Sequence, residues 1–207
     1  KYDVQSLDRI TEKLFNFANK RSYRFEYGDI NSAIYRSTSA IISNKKFIQR
    51  YQKNDHNSSD EFYPTVLNIQ ITNNENLPLF RFDREQLENA IIYIIMYLMP
   101  NMKVHDKILI DSKLDHDRDH EFISLSITGN IHALTTEELR QVFDPFSIEQ
   151  STLIDVGPCV ARKIIDEHGG HLEIQQDKSG HATFVMTFPV SRESEEVNTR
   201  WTMRTGS

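Results

Sequence analysis

Leu87, Ala90, Ile91, Ile94, Ile95 and Leu98 follow one another at spacings of three and four residues, a pattern that only an α-helix gathers into one unbroken apolar stripe. Asp83, with Gln86 three positions on, resembles a capping box at the start of this helix, and Pro100 closes it. A helix this apolar must lie on a broad buried surface, so the rest of the chain has to supply one. A bilayer is not that surface. The longest apolar run, Ala90 to Met99, is about half of the ~20 residues a membrane span requires.

Strands supply the surface. Val66 to Ile71 alternates between apolar and polar residues, Asn73 to Asn76 turns, and Leu79 to Phe82 is a second short strand. Ile108 to Leu114 and Phe122 to Ile127 form an antiparallel pair around the polar turn Asp115 to His120. Leu172 to Gln176 and Thr183 to Phe188 form another around Asp177 to Gly180. Tyr23 to Tyr27 is a short strand candidate, and Gly28-Asp29 gives a turn and cap before a helix carrying Ile30, Ile34, Ile41 and Ile42. Lys53 to Asp60 is loop-like. Thr135 with Glu138 caps a helix reaching Phe143, and a last helix runs from about Gly157 to His168, where Gly169 can take the left-handed conformation that ends it. This order implies an α+β fold, a two-layer sandwich whose mixed sheet is covered by helices on one face, with a single core between residues 22 and 190.

At the ends the pattern changes. Val4, Leu7, Ile10, Leu14 and Phe17 give residues 1–21 a narrow helical seam that wants either a partner helix or its own domain. Because the chain opens inside that pattern, we expect a fragment of a longer protein. Residues 191–207 are polar and are expected to be a flexible tail, with Trp201 exposed. With 24 basic against 30 acidic residues the net charge is −6, which argues against nucleic acid or an anionic membrane and for protein partners. A single cysteine, Cys159, excludes an intramolecular disulfide and fits a small buried side chain in a reducing compartment.

Three segments, in order, carry a family resemblance: Thr135 to Phe146, ending in Phe-Asp-Pro-Phe; the helix-to-strand run Ile164 to Ile174 through His168-Gly169-Gly170; and the strand Thr183 to Pro189. Together they resemble the ATP-binding domain of two-component sensor histidine kinases, a branch of the GHKL ATPases. The resemblance implies the sandwich fold, the second helix of a dimerisation hairpin over residues 1–21, an ATP-binding domain over residues 22–190, a cytoplasmic location and a place in a phosphorelay.

The resemblance also says where nucleotide residues should stand, and there the chain departs. The family helix motif Q-x-x-x-N-x-x-x-N-A, whose last asparagine helps to hold Mg²⁺, falls on Asn89, Tyr93 and Tyr97. A neutral phenol is a poor Mg²⁺ ligand and brings a bulky ring. The motif D-x-G-x-G, whose aspartate receives the adenine amino group, falls on Thr128, Asn130 and His132. Of the three lid glycines, which stand at Leu153, Asp155 and Gly157, only Gly157 remains, and the carboxylate of Asp155 can cap the helix where phosphates would lie. The G-x-G-T turn is half kept as Gly180-His181-Ala182-Thr183. Glycine, 7 residues in 207, is at about half the usual ~7%.

We therefore expect a degenerate pocket with no catalytic residue, no metal site and no cofactor: a pseudokinase module acting through a response regulator or a partner kinase, with a possible homodimer through the N-terminal helix. The alternative is a divergent but competent kinase that binds ATP and Mg²⁺ and phosphorylates a histidine upstream. His120-Glu121 is the one His-Glu pair, but it leads into a strand without the proline that follows a phosphoacceptor. His116 and His120 among Asp115, Asp117 and Asp119 are expected to be a solvated turn.

Overall fold

The structure, a computed structural model, describes residues 22–44, 67–74, 76–99, 102, 105–117, 120–130, 134–144, 156–178 and 180–190. The expected N-terminal helix, the Lys53 to Asp60 loop and the tail lie outside the described residues.

Seven strands and four helices are described: β1 Glu26–Gly28, α1 Ile30–Ser43, β2 Asn68–Asn73, β3 Phe80–Phe82, α2 Arg84–Leu98, β4 Lys107–Asp117, β5 His120–Asn130, α3 Thr136–Gln141, α4 Gly157–Glu167, β6 His171–Gln176 and β7 His181–Pro189. Five strands form one mixed sheet in the order β2-β4-β5-β7-β6, in which only the β2–β4 pair is parallel. Helices cover one face. Strand alternation sends Ile71, Ile110, Ile127, Phe184 and Ile174, which stand in one cross-strand row, toward that cover, and of these Ile127 and Phe184 are completely buried. The neighbouring row, Gln70, Leu109, Thr128, Thr183 and Gln175, lies on the opposite, open face.

α2 is the centre of the helical layer, packed between α1 and α4, and the whole expected stripe from Leu87 to Leu98 is at 0% exposure. α1 buries Ile30, Ile34 and Ile41, while Ile42, counted in the same stripe from sequence, turns outward because it lies one residue off the buried side. At the start of α2 the Asp83 carboxylate accepts from the Gln86 amide at 3.0 Å, as a cap should. The reciprocal half of the capping box is replaced: the Asp83 amide donates to His168 Nε2 at 2.9 Å. α3 has the complete box, Thr135 with Glu138.

The two glycines between α4 and β6 do different work. Gly169 has φ +69°, the left-handed conformation expected of it. Gly170 makes a close approach, since a Cβ there would run into the backbone carbonyl of Thr187 on β7.

One pairing has no local signal. The short strand near Tyr23 forms at Glu26–Gly28 and pairs antiparallel with β3 as a separate two-stranded sheet, with Glu26 opposite Phe82. Phe80 of that sheet stacks on Phe82 and meets Phe188 of β7 at 5.1 Å, which joins the small sheet to the core.

Candidate functional site

The motif positions should converge in a cleft where α2 packs on the ends of β5 and β7. From α2, Asn89, Tyr93 and Tyr97 share one half-buried side, as their four-residue spacing requires. Both tyrosines pack against the core. The Tyr97 ring meets Phe184 of β7 edge-on, with centroids 5.6 Å apart at 85°. Phe143, first residue of the Phe-Asp-Pro-Phe segment, reaches the same Phe184 ring at 6.3 Å and 88°, and the Arg162 guanidinium from α4 sits 4.9 Å over Phe143. One phenylalanine is thus contacted by aromatic rings from α2 and from the turn after α3.

Thr128 and Thr183 are brought together, but on the other side of the sheet. Their hydroxyls share a hydrogen bond of 2.9 Å, in the row that contains the exposed Leu109. Asn130, two residues along β5, falls on the same open face by alternation. The positions that face the helical layer are their neighbours, Gly129 and Ala182, which pair with each other, and Gln176, which pairs with Ala182. β5 extends three residues beyond the Ile127 expected from sequence, and only the pairing shows which of its last residues point inward.

Leu98, the residue after Tyr97 and the place where the family motif has alanine, lies over Gly129. A Cβ on Gly129 would stand 3.2 Å from Leu98 Cδ1. Gln176 Oε1 accepts from the Leu134 amide at 3.0 Å. Among the described residues, then, the inward row Gly129–Ala182–Gln176 carries no carboxylate. Sequence reading placed Leu98 in the core stripe and Ala182 in a turn and gave neither these nor Gly129 a part in the site; for Gly129 the signal that could have found it is the strand period continued past Ile127.

α4 starts at Gly157 with Val156 as N-cap and no side-chain cap among the described residues; Leu153, Asp155 and His132 lie outside them. Gly180, with φ +87°, turns the chain between β6 and β7. The buried Cys159 points its Sγ at the Val142 carbonyl, 3.7 Å away. The strands run on into the expected polar turn, pairing Asp115, His116 and Asp117 with Phe122, Glu121 and His120; there His116 faces Glu121 at 3.4 Å and Lys113 holds Asp115 at 2.9 Å. Among the described residues no group of three or more His, Cys, Asp or Glu could hold a metal ion. No described helix is long and apolar enough to cross a membrane.

Solved structures share this architecture. An isolated catalytic domain of histidine kinase ThkA superposes with a TM-score of 0.62 at 17% identity, over 83% of this chain and 99% of that one. The fold is that of a histidine-kinase catalytic domain. ThkA in complex with response regulator protein TrrA gives a TM-score of 0.66 at 20% identity, covering 92% of this chain and 49% of that one. By sequence, the chain is similar to sensor histidine kinase ZraS of Escherichia coli (strain K12), 18% identical over 189 residues, covering 91% of this chain and 36% of ZraS. It is also similar to sporulation kinase E of Bacillus subtilis (strain 168), 27% identical over 122 residues, 59% of this chain and 16% of that protein. The chain therefore spans about a third or less of the curated relatives it matches. No family model matches it.

Proposed function

We propose that this chain is the C-terminal module of a sensor histidine kinase whose cleft does not take Mg-ATP, and that it signals through contacts with a response regulator or a partner kinase. The observation that carries the reading is the inward row Gly129–Ala182–Gln176, with Leu98 set over Gly129. The base end of the cleft offers no carboxylate to an adenine amino group, and Leu98 occupies the space such a side chain would need. Where the family holds Mg²⁺, Tyr97 offers a neutral phenol whose ring lies edge-on to Phe184, so the described side chains do not fit the metal in the family's way. The complex of ThkA with TrrA supports a response regulator as partner.

Melting with and without Mg-ATP tests the reading. Ligand at about 100 times its dissociation constant stabilises a fold by ~2.7 kcal/mol. Each kcal/mol moves the melting temperature of a domain this size by ~2–4 °C. We expect no shift at millimolar Mg-ATP; a rise of ~5 °C or more would restore the competent-kinase reading.

A further inference from the structure

His168 is a buried polar group that the cleft does not use. It caps α4, and its Nδ1 lies 2.6 Å from the Ile164 carbonyl, to which only an N–H can donate. Its Nε2 accepts the Asp83 amide at 2.9 Å. One nitrogen donates and the other accepts, which defines the neutral Nδ1–H tautomer.

Asp83 connects this imidazole to the entry segment, residues 22–25, which joins residues 1–21 to the domain. One carboxylate oxygen accepts from Gln86 and caps α2, and the other accepts from the Arg24 amide at 2.7 Å. Tyr23 and Phe25, on either side of Arg24, set their rings edge-on to the imidazole at 5.6 and 5.0 Å. The Arg24 amide and the rings of Tyr23 and Phe25 therefore converge on His168 and Asp83.

We propose that His168 is an acid-released clasp: neutral, it holds the entry segment to the α2 cap, and protonation lets that segment go. A protonated imidazole carries N–H on both nitrogens, so Nε2–H would face the Asp83 N–H, donor against donor. The ring must then turn, and it carries the seat of Tyr23 and Phe25 with it. Burial pushes the imidazole below its ordinary range, while the bond to the Ile164 carbonyl and the charges of Asp83 at the α2 cap and Glu167 on α4 work against that. The entry segment contributes the charge of Arg24, which is exposed and meets Asp83 through its main chain. Since the folded value lies below the 6.5 of a free imidazole, the released chain takes up the proton first. The clasp is complete above about pH 6.5 and is lost as the pH falls through that value toward the folded one.

The test is a nuclear magnetic resonance titration of the full chain with ¹⁵N-labelled histidine, from pH 7.5 to 5. The expected result is an Nδ1–H tautomer at pH 7.5 and an apparent pKa below 6.5. The Arg24 and Asp83 amides should follow that titration and Arg24 should lose hydrogen-exchange protection, while the Ile127 and Phe184 amides stay unchanged. In His168→Gln the side-chain oxygen can still accept from Asp83 but cannot titrate, so the segment should stay docked at pH 5. An Nε2–H tautomer, an imidazole titrating at or above 6.5, an Arg24 amide indifferent to that titration, or a His168→Gln chain that releases the segment with acid would each overturn the clasp. If that variant does not fold, the wild-type titration alone decides. None of these readouts depends on nucleotide.

Discussion

Gly129 and Leu98 form a complementary pair of sizes, one side chain missing where the other fills. Adding a methyl at Gly129 meets Leu98 Cδ1 at 3.2 Å, and Leu98 is completely buried, so it has little room to yield. Overpacking of this kind costs ~1–3 kcal/mol, against the ~0.4–1 kcal/mol that Gly→Ala gains by restricting the unfolded chain. Gly129→Ala should therefore lose roughly 1 kcal/mol in urea unfolding. In a Leu98→Ala background the same change should be neutral or stabilising, and a cycle showing no such coupling would mean the two do not press on each other. Glu88 on α2 is a second residue under strain. Its Oε1 is buried without a hydrogen bond, and Arg36 Nε, at 3.9 Å, is within ion-pair range only. Burial raises its pKa, with Arg36 and Arg84 opposing and Glu85 adding to the rise. A carboxyl raised in the fold gives its full stability below the unfolded value of 4.5 and loses it as the pH rises through the folded one. Glu88→Gln should raise the melting temperature at pH 7, by an amount worth less than ~1 kcal/mol because solvent screens such a contact. The gain should vanish in melts below pH 4.5.

At the scale of elements, the helix-to-strand turn after α4 concentrates two demands in adjacent residues. Gly169→Ala places a side chain at φ +69° and should cost ~1 kcal/mol. Gly170→Ala drives a Cβ into the Thr187 carbonyl, with Ile165 and Phe188 crowding from the sides, and should cost ~3 kcal/mol or more. Thermal melts of the two variants should rank them in that order. That turn and α2 were legible because their signals are local: a stripe, a proline, paired glycines. The cap of α2 was legible only by half. Gln86 at the right spacing says nothing of a histidine 85 positions after Asp83 that takes the amide in its place. β5 was legible as a strand and illegible in its facing at the cleft, because a strand read three residues short leaves the sides of Thr128 and Gly129 open to confusion. The candidate site thus came out of the sequence on the helix side, where Tyr93 and Tyr97 are spaced by the helix itself. On the sheet side it needed the register with β7.

Across the whole molecule, the two-layer plan follows from which segments alternate and which repeat at helical spacing, and the sequence order carried that much. What it could not carry is the pairing of β1 with β3, since nothing local in Glu26–Gly28 marks a partner more than 50 residues on. That small sheet has a mechanical meaning. Glu26, where the chain arrives, stands beside Phe82, which runs directly into the Asp83 cap of α2. Tension applied through residues 1–21 and resisted by α2 therefore pulls both strands from the same end of a three-rung ladder, and opens it rung by rung instead of shearing it. The five-stranded sheet is not in that line of force. In a tweezers experiment with handles at Lys1 and at Arg84, the first residue of α2, the stretch up to Gly28 should yield first, at low force and reversibly, before a single large rupture. β1 would then act as a mechanical fuse, absorbing a tug from upstream while α2, α4 and the large sheet keep their shape.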